Sequence, residues 1–215
     1  LADVLTEAVP GCRILFVGSD LGLPEVLNTG LAACTAPLVA RIDADDVPRP
    51  DRFATQVAYL ADHPDVALVA SPVAIVDESG RLTGRRAGPS GERELMKGLR
   101  WKCVIQHPSV MFRREIVERL GGYAPGARHV EDYELWLRLA AVAGLGTTSE
   151  PLTDYRVHDG QVTQTKVIGR PARVLVAEAR RALARQRHES AFMSRLRHSV
   201  WASRQVVREA GSRSH

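Results

Sequence analysis

Short apolar runs alternate along the chain with stretches in which apolar residues recur at helical spacing. Arg13 to Val17, Leu38 to Ile42, residues 66–70 and 73–77, Ser109 to Phe112 and Pro151 to Val157 are short, β-branched or apolar, and predict strands. Residues 2–8 predict the end of a helix, broken by Pro10-Gly11. Pro24 suits the first turn of a helix running to about Cys34, with Pro37 beyond its end. Pro50 opens another, in which Phe53, Val57 and Leu60 share a face. Residues 91–100, Glu115 to Leu120 and Glu131 to Val142 also predict helices, the last with Leu135, Leu139 and Val142 on one side. Residues 168–210 predict helices with an apolar stripe of Phe192, Leu196, Val200 and Val207, and with Arg195, Arg197, Arg204 and Arg208 on the other faces. Strands alternating with helices imply an α/β domain with a largely parallel sheet.

Composition narrows this picture. With 215 residues, 45% hydrophobic and 25% charged, the chain has enough apolar material for one folded domain and is unlike a disordered or fibrous sequence. Its most apolar stretch, Val66 to Val76, is interrupted by Ser71-Pro72, well short of the ~20 residues a membrane span needs. Cys12, Cys34 and Cys103 are scattered and odd in number, which predicts no disulfide framework, no zinc site and a reducing compartment. The start lacks the basic and long apolar regions of a secretory signal, so a cytoplasmic location is expected. The formal charge of +4 conceals a division: residues 1–165 carry a net −5 and residues 166–215 a net +9.

The segment LVARIDADDVPRP carries the clearest chemistry. An apolar run leads straight into Asp43, Asp45 and Asp46, the position at which open α/β sheets bind ligands, beyond the carboxyl ends of their strands. Carboxylates this close repel unless a cation or solvent intervenes, and hard oxygen donors suit Mg²⁺ or Mn²⁺. A solvated acidic turn is the alternative on spacing alone. An EF-hand is excluded, because its sixth position is Pro48 instead of glycine.

Several stretches together resemble a family-2 glycosyltransferase of the GT-A fold. They are GLPEVLNTGLA, ARIDADDVPRPDRFATQVAYL, HPDVALVASPVAIVDESG, QHPSVMFRREIVERLGGY, EDYELWLRLA and YRVH, which follow one another in the family's order over about residues 1–165. The resemblance implies a GT-A α/β core with a mixed, mostly parallel sheet flanked by helices, followed by a basic helical tail at 166–215. It implies inverting transfer of a sugar from a nucleotide diphosphate donor to an acceptor hydroxyl on a sugar, a lipid-linked sugar or a small molecule. Asp43 and Asp45 match the DxD motif, with Asp45 the direct metal ligand and Asp43 facing the donor's ribose or the metal's waters. Asp132, in the Glu131-Asp132 pair, is then the general base, with Glu131 beside it or on the acceptor. His158 completes the metal shell or touches the diphosphate, and Arg156 pairs with phosphate. His107 lines the sugar or acceptor pocket, Trp136 packs beneath the site or stacks on a sugar, and Gly22 and Asn28 lie near the donor. Residue by residue, helix capping, core packing and ordinary surface positions are the competing explanations.

Members of the family begin with an apolar strand and a second strand that hold the nucleotide. This sequence starts at the helix expected after them, so about one βα unit of the pattern lies outside it. Two other functions remain open on the residues alone: a catalytically silent binding or scaffold protein, and a haloacid-dehalogenase-like phosphatase using Asp43 as nucleophile. For residues 166–215 the candidate partners are an anionic membrane surface at the inner face, the acidic core itself, or a second subunit. Sparse aromatics and the lack of a binding motif argue against nucleic acid.

Overall fold

The computed structural model describes residues 11–18, 20–158 and 167–212, with side chains as far as residue 205. The helix expected at residues 2–8 lies outside the described residues. Helix α1 (Leu23–Ala33), with Pro24 in its first turn, leads into strand β1 (Leu38–Ala40). There follow β2 (Val47–Pro48), α2 (Arg52–Asp62), β3 (Val66–Ala70), β4 (Val73–Val76) and β5 (Leu82–Arg86). Helix α3 (Glu92–Leu99), a 3-10 turn (His107–Ser109), β6 (Met111–Arg113) and α4 (Arg114–Arg119) come next. The chain continues through α5 (Glu131–Val142), β7 (Gly144–Thr147), β8 (Thr153–Arg156), α6 (Arg170–Gln186) and α7 (Ala191–Ser212).

The strands form two mixed sheets, ordered β1-β6-β3-β7 and β2-β8-β4-β5. This is an α/β arrangement with flanking helices, but the sheets are less parallel than the sequence implies. Among the described residues β3 pairs with β7 and β4 with β8 in parallel, while the other four pairings are antiparallel. The reason is local. β4 and β5 are joined by the Asp77–Gly80 turn into a hairpin, and β6 enters between β1 and β3 against both. The turn is fixed by the Asp77 carboxylate, which accepts from the N–H groups of Ser79 and Arg81 and from the Ser79 hydroxyl. Those bonds hold its pKa down to about 2.

The core lies around β3, whose five residues are all buried, and α5, whose Leu135, Trp136, Leu137 and Leu139 are fully enclosed. Ile168 and the α6 residues Ala172, Val176, Ala179 and Leu183 join the same apolar cluster. The expected boundary at 165/166 falls within residues that are not described, but the first helix beyond it is packed into the common core. Strand β7 escapes the sequence pattern because GLGT lacks an apolar run. At Gly146 a Cβ would sit 2.4 Å from the Tyr59 ring, so the strand needs glycine to pass beneath α2.

Four sequence expectations are corrected. Arg13 to Val17 forms no strand, and Phe16 is 85% exposed; an apolar run without a partner strand satisfies no ladder. On α2 the buried face is Arg52, Gln56 and Leu60, whereas Phe53 and Val57 are exposed, because carbonyls at the strand ends below the helix need donors. On α7 the apolar stripe points outward, with Phe192 72% exposed, and Ser194 and Trp201 face inward instead. Val142 on α5 is likewise exposed, at the open end of its helix. Val207 and Arg208 lie outside the described side chains.

Candidate functional site

Strand β2 pairs with β8 in the register Val47↔Asp154 and Pro48↔Thr153, which sets the loop 43–46 beside the residues that follow β8. Asp43, Asp45 and Asp46 each offer a carboxylate oxygen within 4.8 Å of the others. Their attachments differ. Both oxygens of Asp43 accept from the guanidinium of Arg41. Asp45 Oδ2 lies 3.2 Å from His158 Nε2. Asp46 Oδ1 accepts from the Arg156 N–H at 2.9 Å, while its buried Oδ2 has no hydrogen-bond partner. Burial, reinforced by Asp43 and Asp45, lifts the Asp46 pKa to about 6.

Arg156 acts on backbone. Its Nε donates to the Asp45 carbonyl and its Nη1 to the carbonyls of Asp77 and Glu78, so it ties the acidic loop to the β4–β5 turn. The carbonyl of Arg41, just before the acids, receives Arg52 Nη2 at 2.6 Å. Arg52 is fully buried, its pKa pulled down to about 10 by desolvation, and its Nη1 has no hydrogen-bond partner. Gln56, one turn later, donates to the carbonyls of Val69 and Ser109. Together they pin the ends of β1, β3 and β6 beneath the loop. The sequence pattern offered Arg52 and Gln56 only as the polar side of a helix. Their signal is the i, i+4 spacing of two long donors directly after the acidic cluster.

Asp132 opens α5. Its Oδ1 accepts from the Tyr133 N–H at 2.6 Å, and the Cys103 thiol lies 3.6 Å from its Oδ2. Glu131, beside it, is buried. One turn along, Trp136 is completely enclosed and meets the His107 ring edge-on at 5.7 Å, so it supports that histidine and shows no face to a sugar. His107 Nε2 is 3.0 Å from the Tyr123 hydroxyl. Burial raises the Tyr123 pKa.

Asn28 sits away from the acids. Its amide accepts from the Tyr123 N–H and donates to the Tyr123 carbonyl, both at 2.8 Å, a two-sided clamp between α1 and the 121–124 turn. Gly122, at φ +69°, leaves room for it; a Cβ there would lie 2.4 Å from Asn28 Oδ1. Gly22 is the N-cap of α1, crowded by Glu25 and Arg128. The structure thus groups Asp43, Asp45, Asp46, Arg156 and His158, and separately groups Asn28, Tyr123, His107 and Trp136. Tyr123 and Cys103 were not singled out by sequence, since neither belongs to a charged motif.

The donor set at the loop, carboxylates plus one imidazole with an unsatisfied buried oxygen, fits a hard divalent cation. Residues 1–121 match the sequence profile described as "Glycosyl transferase family 2". The chain is 37% identical over 123 residues to the amylovoran biosynthesis glycosyltransferase AmsE of Erwinia amylovora, covering 57% of this chain and 46% of that protein. It is 30% identical over 151 residues to the O-antigen biosynthesis glycosyltransferase WbnJ of Escherichia coli, covering 68% and 58% respectively. It therefore spans about half the length of the curated relatives it matches. Among solved structures, S. aureus TarS 1–349 in complex with UDP-GlcNAc superposes with a TM-score of 0.56 at 13% identity, over 85% of this chain and 51% of that one. The fold is shared with that protein, and the family profile spans more than half of the sequence, acidic loop included. The chain belongs to glycosyl transferase family 2.

Proposed function

We propose that this chain contributes the donor and catalytic face of an inverting, metal-assisted sugar transferase acting on a nucleotide diphosphate sugar. The observation that carries the reading is the acidic loop, in which three carboxylates converge at strand ends and one buried oxygen lacks a partner. Asp45 and His158 would hold a Mg²⁺ or Mn²⁺ ion, with Asp43 on its water or ribose side. Bound there, the ion offsets negative charge on the departing diphosphate. Asp132 accepts the proton of the acceptor hydroxyl. The acceptor oxygen then forms a bond to the anomeric carbon as the carbon–phosphate oxygen bond breaks, and the electron pair leaves with the nucleoside diphosphate. Glu131, buried alongside, raises the basicity of Asp132 or contacts the acceptor, and His107, held by Tyr123 and Trp136, borders the same pocket.

Membership of the family displaces the phosphatase alternative, which also needs Asp43 free of the Arg41 fork that holds it. Calorimetry with UDP and GDP, each with and without Mn²⁺, tests the reading. Binding that requires the metal and disappears in Asp45→Ala supports it; the absence of binding to either nucleotide returns the chain to the silent scaffold.

The outward face of α7 extends the proposal to an anionic membrane. Phe192, Arg195, Leu196 and Ser199 follow helical spacing and are all exposed, and Arg181, Arg195 and His198 line a groove of about 440 Å³ between α6 and α7. Apolar side chains flanked by arginines complement acyl chains beneath anionic headgroups. Flotation with vesicles containing anionic lipid is expected to carry the protein, and Phe192→Ser/Leu196→Ser to release it. Equal binding to neutral vesicles, or self-association through this face, overturns the assignment.

A further inference from the structure

Among the described residues of the basic C-terminal segment, Arg180 is the arginine whose side chain is enclosed among residues of the core, at 4% exposure. Its Nη1 donates to the Arg100 carbonyl at 2.5 Å, and its Nη2 to the Trp101 carbonyl at 3.0 Å and the Tyr133 hydroxyl at 2.5 Å. The guanidinium also lies 5.4 Å from the Tyr133 ring centre and 5.7 Å from that of Trp201. The Tyr133 hydroxyl in turn donates to the Leu99 carbonyl at 2.8 Å. Arg180 and Tyr133 therefore cover three successive carbonyls at the C-terminal end of α3, where a cation and donors are favoured.

These contacts converge on one carboxylate. Two residues after Trp101 comes Cys103, whose thiol lies between the Ile105 carbonyl at 3.3 Å and Asp132 Oδ2 at 3.6 Å; the backbone N–H of Tyr133 itself donates to Asp132 Oδ1. Both oxygens of Asp132 thus meet groups on the two segments that Arg180 contacts, the 100–103 loop and the first turn of α5. We propose that Arg180 is a positioning residue for Asp132, and that helix α6 is for this reason part of the catalytic apparatus. The proposal rests on the reading of Asp132 as general base.

The test uses a Cys12→Ser/Cys34→Ser background, which leaves Cys103 as the sole thiol. A half-buried thiol held in a packed loop reacts slowly, and loosening that loop exposes it. Arg180→Met is expected to raise the rate of Cys103 alkylation by iodoacetamide at pH 7.5 about tenfold or more. In turnover of a nucleotide sugar it is expected to lower kcat at least tenfold while leaving the donor KM within about twofold. Arg180→Lys, which keeps a cation against the carbonyls, recovers part of both effects. Should Arg180→Met not fold, Tyr133→Phe removes the shared hydroxyl and shifts both readouts in the same direction by a smaller factor. Unchanged alkylation in the folded variants, or kcat and KM moving together with the folded fraction, overturns the proposal. Asp132→Asn separates the two claims: full turnover in that variant sinks the general base, while the alkylation arm, which needs no substrate, still decides whether Arg180 sets the cradle.

Discussion

Asp45 and Asp132 are both half-buried carboxylates, yet their surroundings differ in kind. Asp45 sits among two further acids, with only His158 on its own Oδ2, and one neighbouring oxygen is buried without a partner. Asp132 has no acidic cluster around it beyond Glu131, and a backbone N–H and a thiol meet its two oxygens. The first region carries more negative charge than its own donors satisfy, so an added cation relieves it. The second is internally balanced, and what it requires is placement, which α3, α5 and α6 supply. Uncompensated charge marks where something binds; a compensated carboxylate marks where geometry is held.

The largest effect that tests this contrast is Asp132→Asn. Loss of Asp132 as the proposed general base should lower turnover by about 10²–10⁴-fold, whereas binding of nucleoside diphosphate with Mn²⁺ should stay unchanged, because nothing in the acidic loop is touched. Stopped or coupled assays for turnover beside calorimetry for binding check it. Equal loss of both would merge the two regions into one site and break the comparison.

Next in size is Asp46→Asn, measured on the metal-free protein. The Asp46 pKa is raised in the folded state from 3.8 to about 6, so folding favours its protonated form. Its favourable contribution is present below the unfolded pKa and is lost as pH rises through about 6. An asparagine keeps the acceptor for the Arg156 N–H and carries no charge. The variant should therefore match the parent near pH 4 and exceed it at pH 7.5 by at most about 3 kcal/mol, read by urea unfolding in chelator. A variant less stable than the parent at pH 7.5 would show that Asp46 is compensated after all.

Sequence patterning located most of the fold because the apolar strands β3 and β4 and helix α5 bury what they display. It also placed the acidic loop, since charge clustered after a strand is visible without coordinates. It failed where burial was polar or pairing was remote. Arg52 and Gln56 are inside because carbonyls at the ends of three strands need donors, and no local pattern reports that need. The α7 stripe looks like a core face but points outward, because Trp201 and the Arg197–Glu189 ion pair take the inner positions. Arg180 looks like any arginine of a basic helix until α6 is packed against α5.

The smallest expected effect sharpens the second region most. Cys103→Ser keeps a donor toward Asp132 Oδ2 and should change turnover by less than about threefold, a difference of well under 1 kcal/mol. Cys103→Val is similar in volume but donates nothing, so it removes the thiol's contact with Asp132 Oδ2. Neutral-to-charged hydrogen bonds contribute about 1.5–3 kcal/mol in favourable geometry. A thiol at 3.6 Å stands at the weak end, so a loss of about three- to tenfold in kcat is expected, with donor KM unchanged. If serine and valine behave alike, the thiol only fills space, and Tyr133 alone orients the carboxylate. If only valine is impaired, Asp132 is held from both sides, and the contrast with Asp45, the proposed cation ligand, is complete.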